Sequence, residues 1–195
     1  MRLYAFLMGI IRVLVLILWH PKYEGRENIP NTGPVVYCAN HIHWADPVLM
    51  ACACHRQLHF MAKHELFELP IFRWLLPHVG MFPIKRGKVD TGAIRAALAY
   101  LNKGEVLGIF PEGTRSKTGE LLAFFNGASY FAVKSGAVII PVGITGSYRV
   151  FSRMRVRVGD PIDVAPYSQG GKGSANLDEL SHRLMQEIDK LRGNE

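Results

Sequence analysis

A chain of 195 residues, 49% hydrophobic and 20% charged, has room for one domain and would leave a second cramped. So much apolar content with so little charge excludes a disordered segment. The net charge of +7 favours anionic partners, whether lipid headgroups, phosphate esters or nucleic acid, and three cysteines, an odd count, exclude a disulfide framework and read as reduced thiols.

The first 22 residues stand apart from the rest. Residues 3–19 are apolar except for Gly9 and Arg12. At ~1.5 Å per residue this segment extends roughly 25 Å as a helix, a little short of the ~30 Å hydrocarbon layer of a bilayer. Arg12 is costly in mid-membrane unless it snorkels or is covered by protein. The segment runs into His20, Pro21 and Lys22 with no small-residue cleavage site, so it reads as an uncleaved membrane anchor, spanning or lying in the interface. The alternative is an amphipathic core helix. The anchor (1–22) is thus set apart from a folded domain (23–195).

From there short apolar runs alternate with helical stretches. Runs at 35–39, 58–62, 79–84, 106–110 and 137–143 read as buried strands. Asp90 caps a helix that carries Ile94, Ala97, Leu98 and Leu101 at helical spacing and closes at Gly104. Asn176 and Glu179 form a capping pair for a helix with an apolar face made by Leu177, Leu180, Leu184, Ile188 and Leu191. Arg153, Arg155 and Arg157 alternate along a further strand, as at a solvated sheet edge. The loop 168–174 is glycine-rich but lacks the spacing of a phosphate-cradling loop. The predicted fold class is α/β: a mostly parallel central sheet flanked by helices, with a hydrophobic N-terminal membrane-anchoring helix.

Two loops carry the chemistry. The first, 40–47 (NHIHWADP), follows the first apolar run, where ligands gather at the carboxyl end of a parallel sheet. There a carboxylate on Asp46 can fold back to the Nδ1 proton of His41, leaving Nε2 as a base. Asp46-Pro47 is equally a good helix start. The second loop, 110–116 (FPEGTRS), presents a glycine, the Thr114 hydroxyl, the Glu112 carboxylate and the Arg115 guanidinium, whose planar fork suits a phosphate monoester. Glu112 either orients a hydroxyl or holds Arg115. A third segment, 80–87, ends in Lys85 and Arg86.

In this order and spacing, His41-x-x-x-x-Asp46, Gly80-x-Phe82-x-Ile84-x-Arg86, Phe110-Pro-Glu-Gly-Thr-Arg115 and Ile140-Pro141-Val142 resemble the four blocks of the glycerophosphate acyltransferase family, in its lysophosphatidic acid type. The resemblance implies that His41 is the general base and Asp46 its orienting partner. It further implies that Arg86, Glu112, Gly113, Thr114 and Arg115 bind the glycerol phosphate, and that Pro141 lies near the acyl-donor site. Many relatives carry a lysine in a Phe-Lys-x-Gly stretch after the third block, whereas this chain reads Phe124-Phe125-Asn126-Gly127.

The implied reaction moves a fatty acyl chain from acyl-CoA or acyl-carrier protein to the 2-hydroxyl of lysophosphatidic acid, giving phosphatidic acid. Another lysophospholipid or glycerol 3-phosphate is the alternative acceptor. No cofactor is implied. The setting is a cell membrane, reached peripherally or through the single anchor, with membrane lipids as partners and the active site facing the cytoplasm. Chemically this needs a base, oxyanion donors and positioning, with no serine elbow. Two other readings compete with this one. His55 and His59 have a zinc-compatible spacing, but Cys52-x-Cys54 does not complete a site, so no metal is expected. A non-catalytic module for anionic lipid would use the charge but has no need of the His–Asp pair, and no nucleic-acid reading motif is present.

Overall fold

The structure is a computed structural model that describes residues 2–85, 89–168 and 174–193. Its strands are β1 (Lys22–Glu24), β2 (Val35–Ala39), β3 (Leu58–Lys63), β4 (Met81–Ile84), β5 (Val106–Ile109), β6 (Val138–Gly146) and β7 (Met154–Val158). Its helices are α1 (Arg2–Trp19), α2 (Asp46–Ala53), α3 (Pro70–His78), α4 (Thr91–Asn102), α5 (Gly127–Ser135), α6 (Ala165–Ser168) and α7 (Ser174–Arg192). Among the described residues the seven strands make one sheet in the order β1-β7-β6-β2-β5-β3-β4. The run from β6 to β4 is parallel throughout; β7 is antiparallel to β6, and β1 lies parallel to β7.

Both faces of the sheet are covered, which is why the strands read as continuous apolar runs. Along β2, Val35, Tyr37 and Ala39 join a core built with α1 and α2, while Val36 and Cys38 join a second core under α4, α5 and α7. Gly108 makes room for the Phe60 ring: a Cβ there would sit 2.1 Å from Phe60 Cε1. Phe60 in turn stacks on Phe110, the first residue of the second loop.

Several predicted boundaries move. Val79 closes α3 by donating to Leu75 O and Leu76 O, and Gly80 turns at φ +84°, so β4 starts only at Met81. Phe110 leaves the sheet instead of ending β5. Asp90 does cap α4, accepting from the Gly92 and Ala93 N–H groups. Asn176, predicted as a cap, lies inside a helix already under way at Ser174. The arginine-bearing strand is β7, which lies inside the sheet because the short β1 covers its outer edge. Arg157 is used there, bonding the Glu24 carboxylate and Leu191 O.

One side of the N-terminal helix α1 packs on the domain, as the core-helix alternative expects. Met8, Val15 and Trp19 are buried against the domain, and Arg12 donates to Cys54 O, which answers for the charge within an apolar helix. The other side of α1 leaves Leu3, Phe6, Ile10, Val13, Leu14 and Ile17 exposed. Among the described residues no helix is long and apolar enough to cross a membrane.

Candidate active site

The strand order dictates where the site forms. β2 and β5 are parallel neighbours, so the loops leaving their carboxyl ends, 40–45 and 110–126, emerge side by side. Asn40 closes the end of β2 from the other flank: its side chain accepts from Ile144 N at 2.7 Å and donates to Ile144 O at 2.9 Å. This buried amide continues the pairing of β2 with β6 for one more residue, and it fixes where His41 begins.

The backbone of His41 is then clamped by the second loop. Its N–H donates to Glu112 Oε1 at 2.6 Å, and its carbonyl accepts from Ser116 N at 2.8 Å. The imidazole lies stacked on Phe110, with ring centroids 4.0 Å apart. Asp46 sits at the first position of α2 and its carboxylate turns back over the loop, so the helix-start and orienting readings hold together. Oδ2 accepts from His41 Nδ1, Ile42 N and His43 N, each at 2.7 Å. Oδ1 accepts from the Tyr148 hydroxyl. Asp46 is fully buried, whereas His41 keeps access to solvent. Because a carboxylate can only accept, Nδ1 carries the proton of this contact, and in the neutral ring the lone pair is then on Nε2.

Glu112 is buried, and its second oxygen accepts from Leu122 N at 3.0 Å. Burial pushes its carboxyl above the ordinary range, against the two backbone donors that lower it. The predicted binding residue therefore serves as the rivet between the two loops. Gly113 turns at φ +65°, which strains any side chain, and a Cβ there would stand 3.1 Å from Phe125 ring atoms, which would have to give way. Thr114 and Arg115 are exposed at the loop tip. Burial lowers the affinity of His43 for a proton, and the Arg115 guanidinium acts in the same sense, so the two groups share one field.

A cleft of about 550 Å³ adjoins Ile42, with Lys22, Arg153, Arg155 and Arg192 on its walls. Pro141 is not brought to the open end of the sheet: it is buried within β6 opposite Cys38, three residues short of the Asn40–Ile144 contact. Arg86 lies outside the described residues. His59 is buried and stacked on Tyr100, and among the described residues no three His, Cys, Asp or Glu side chains converge as a metal site would require.

A His–Asp pair held by a Phe-Pro-Glu-Gly-Thr-Arg loop is one half of the identification. The other is a family model described as Acyltransferase, which matches residues 20–145. The chain belongs to the acyltransferase family. Among its relatives in that family, a 1-acyl-sn-glycerol-3-phosphate acyltransferase of Streptococcus pneumoniae is 32% identical over 200 residues, covering 96% of this chain and 72% of that protein. A lyso-ornithine lipid O-acyltransferase of Pseudomonas aeruginosa is 36% identical over 136 residues, covering 69% of this chain and 48% of that protein. The chain spans about half the length of several curated relatives. The crystal structure of the 1-acyl-sn-glycerophosphate (LPA) acyltransferase PlsC of Thermotoga maritima superposes with a TM-score of 0.76 at 24% identity, over 98% of this chain and 82% of that one. That likeness concerns the fold.

Asn40, Phe110 and Tyr148 also hold the candidate site together. Asn40 and Phe110 are the first residues of the two loops, although the sequence assigns neither a role. Tyr148 stands 102 positions from Asp46 and has no local signal.

Proposed function

We propose that this protein transfers a fatty acyl chain from an acyl thioester to the 2-hydroxyl of 1-acyl-sn-glycerol 3-phosphate, with His41 as general base. The observation that carries the proposal is the Nδ1 contact of His41 with a buried Asp46 carboxylate, in a ring that keeps access to solvent; the neutral imidazole then has Nε2 as its base atom. Nε2 takes the acceptor proton as the oxygen attacks the thioester carbonyl. The C–O bond forms, the tetrahedral anion collapses with loss of the C–S bond, and the imidazolium returns its proton to the thiolate. A thiol with a pKa of about 8.5 is a good leaving group, so no enzyme-bound acyl intermediate is needed. The basic cleft beside Ile42 suits the phosphates of a coenzyme A or phosphopantetheine donor.

A second acceptor class has an observation of its own. Phe125, exposed, lies on Gly113 where many relatives carry a lysine, so an aromatic ring replaces a cation beside the proposed phosphate loop. This favours a lysolipid with a less anionic headgroup. The deciding experiment is a product assay with acyl-CoA and acyl-carrier protein against lysophosphatidic acid, glycerol 3-phosphate and a lyso-ornithine lipid. Lysophosphatidic acid is expected to be the best acceptor. Arg115→Ala is expected to raise its KM, with Arg115→Lys a poor rescue because the bidentate fork is lost. Normal kinetics of Arg115→Ala on every acceptor would remove the phosphate role.

The exposed stripe of α1 is proposed to rest in the membrane interface, with Phe151 and Val150 beside its C-terminal end. The wild-type protein should sediment with membranes and be released by detergent better than by salt. Complete release by high salt alone would assign attachment to the basic surface instead.

A further inference from the structure

The catalytic carboxylate has a support that neither motif supplies. Asp46 Oδ2 is saturated by three donors from its own loop, and the one remaining oxygen, Oδ1, meets the Tyr148 hydroxyl. Tyr148 lies just beyond β6, 102 positions from Asp46 in the chain. Its ring stacks on His43 at 4.0 Å and meets the Trp19 indole edge-on at 5.3 Å. Trp19 Nε1 donates to Tyr148 O at 3.1 Å, and Phe151 N donates to Leu18 O at 2.7 Å. The 148–151 turn is therefore fastened at both ends to the last residues of α1.

We propose that Tyr148 is a positioning residue for catalysis, which fixes Asp46 through Oδ1 and is itself braced by Trp19 at the end of α1. The inference rests on the reading of His41 and Asp46 as the base and its partner. Three donors on Oδ2 hold one edge of the carboxylate but leave it free to tilt about that edge. A fourth donor on the far oxygen fixes the plane, and with it the direction in which Oδ2 meets Nδ1. The phenol stays a donor: burial first, and the neighbouring Asp46 charge second, hold its proton on well above neutral pH. The helix whose outer face is proposed to rest on lipid thereby bears on the orientation of the general base.

The test uses the full chain in membranes or detergent. Tyr148→Phe keeps the ring stacking and removes only the hydroxyl. Its kcat is expected to fall on the order of 10- to 100-fold, the scale of a small misplacement of reacting groups, while KM for donor and acceptor stays within about twofold of wild type. In an Asp46→Ala background, where no carboxylate remains to be held, Tyr148→Phe is expected to cause no further loss. Trp19→Phe, which keeps an aromatic ring but loses the Nε1 donor, should show a smaller loss of the same kind, in kcat alone.

An unchanged kcat in Tyr148→Phe would overturn the positioning role. So would a loss that appears in KM, or one that persists at full size in the Asp46→Ala background. Failure of the parent reading looks different: His41→Ala would then remain active, whatever Tyr148→Phe does.

Discussion

Replacing His41, the proposed general base, by alanine is expected to lower kcat by about 100- to 10,000-fold, the usual range for removal of such a base, and loss of positioning adds to this. The variant should stay folded, because the clamp on residue 41 is made by backbone: Glu112 Oε1 and Ser116 N both bind main-chain atoms. Asp46→Asn is expected to be nearly as impaired. The Asp46 carboxylate faces four donors, and an amide presents its own N–H₂ to some of them. If the amide nitrogen turns to Nδ1, the wrong tautomer is favoured and Nε2 carries the proton. His43→Ala provides the internal control. Its ring packs on Tyr148 and its Nδ1 accepts from Ala45 N, so its loss disturbs packing without removing the proposed base. A dead His43→Ala beside an active His41→Ala, in a steady-state assay with acyl thioester and lysolipid, would reverse the assignment.

Which parts of this site could be read from the sequence follows from the range of the interactions. The two loops were legible because each is a short run of unlike polar groups placed directly after an apolar strand. Their meeting was not, since it depends on β5 inserting between β2 and β3, an order that no local pattern encodes. Glu112 shows the consequence. As a residue type it suits a substrate hydroxyl or an arginine partner, yet the sheet order delivers two backbone donors to it first. Pro141 shows the converse: a motif position that resembles a binding residue is buried within a central strand. For α1 the apolar residues all round the helix gave the right composition, but only the packing shows which stripe the domain covers.

The role of Glu112 separates by experiment, and the variant to make is Glu112→Gln. The His41 and Leu122 N–H groups both point at this side chain, one at each oxygen. Glutamine has a single acceptor oxygen, so one of the two sites receives an N–H₂ group facing an N–H. A buried donor left without a partner costs about 1–3 kcal/mol. In a domain of this size that corresponds to a fall in Tm of roughly 2–12 °C. Where the N–H₂ group faces the His41 N–H, the activity should fall further than the stability suggests, because the released donor then belongs to the proposed base. A shift of about 1 Å in the base is enough for about a 100-fold loss in kcat. Acceptor KM should change little, since Glu112 is buried and each oxygen is engaged by a backbone N–H. Were Glu112 a direct ligand of the glycerol phosphate, the pattern would invert: Tm would hold, and KM for the phosphorylated acceptor would rise. Measuring Tm by calorimetry alongside kcat and KM for one acceptor therefore distinguishes a rivet between two loops from a contact with substrate.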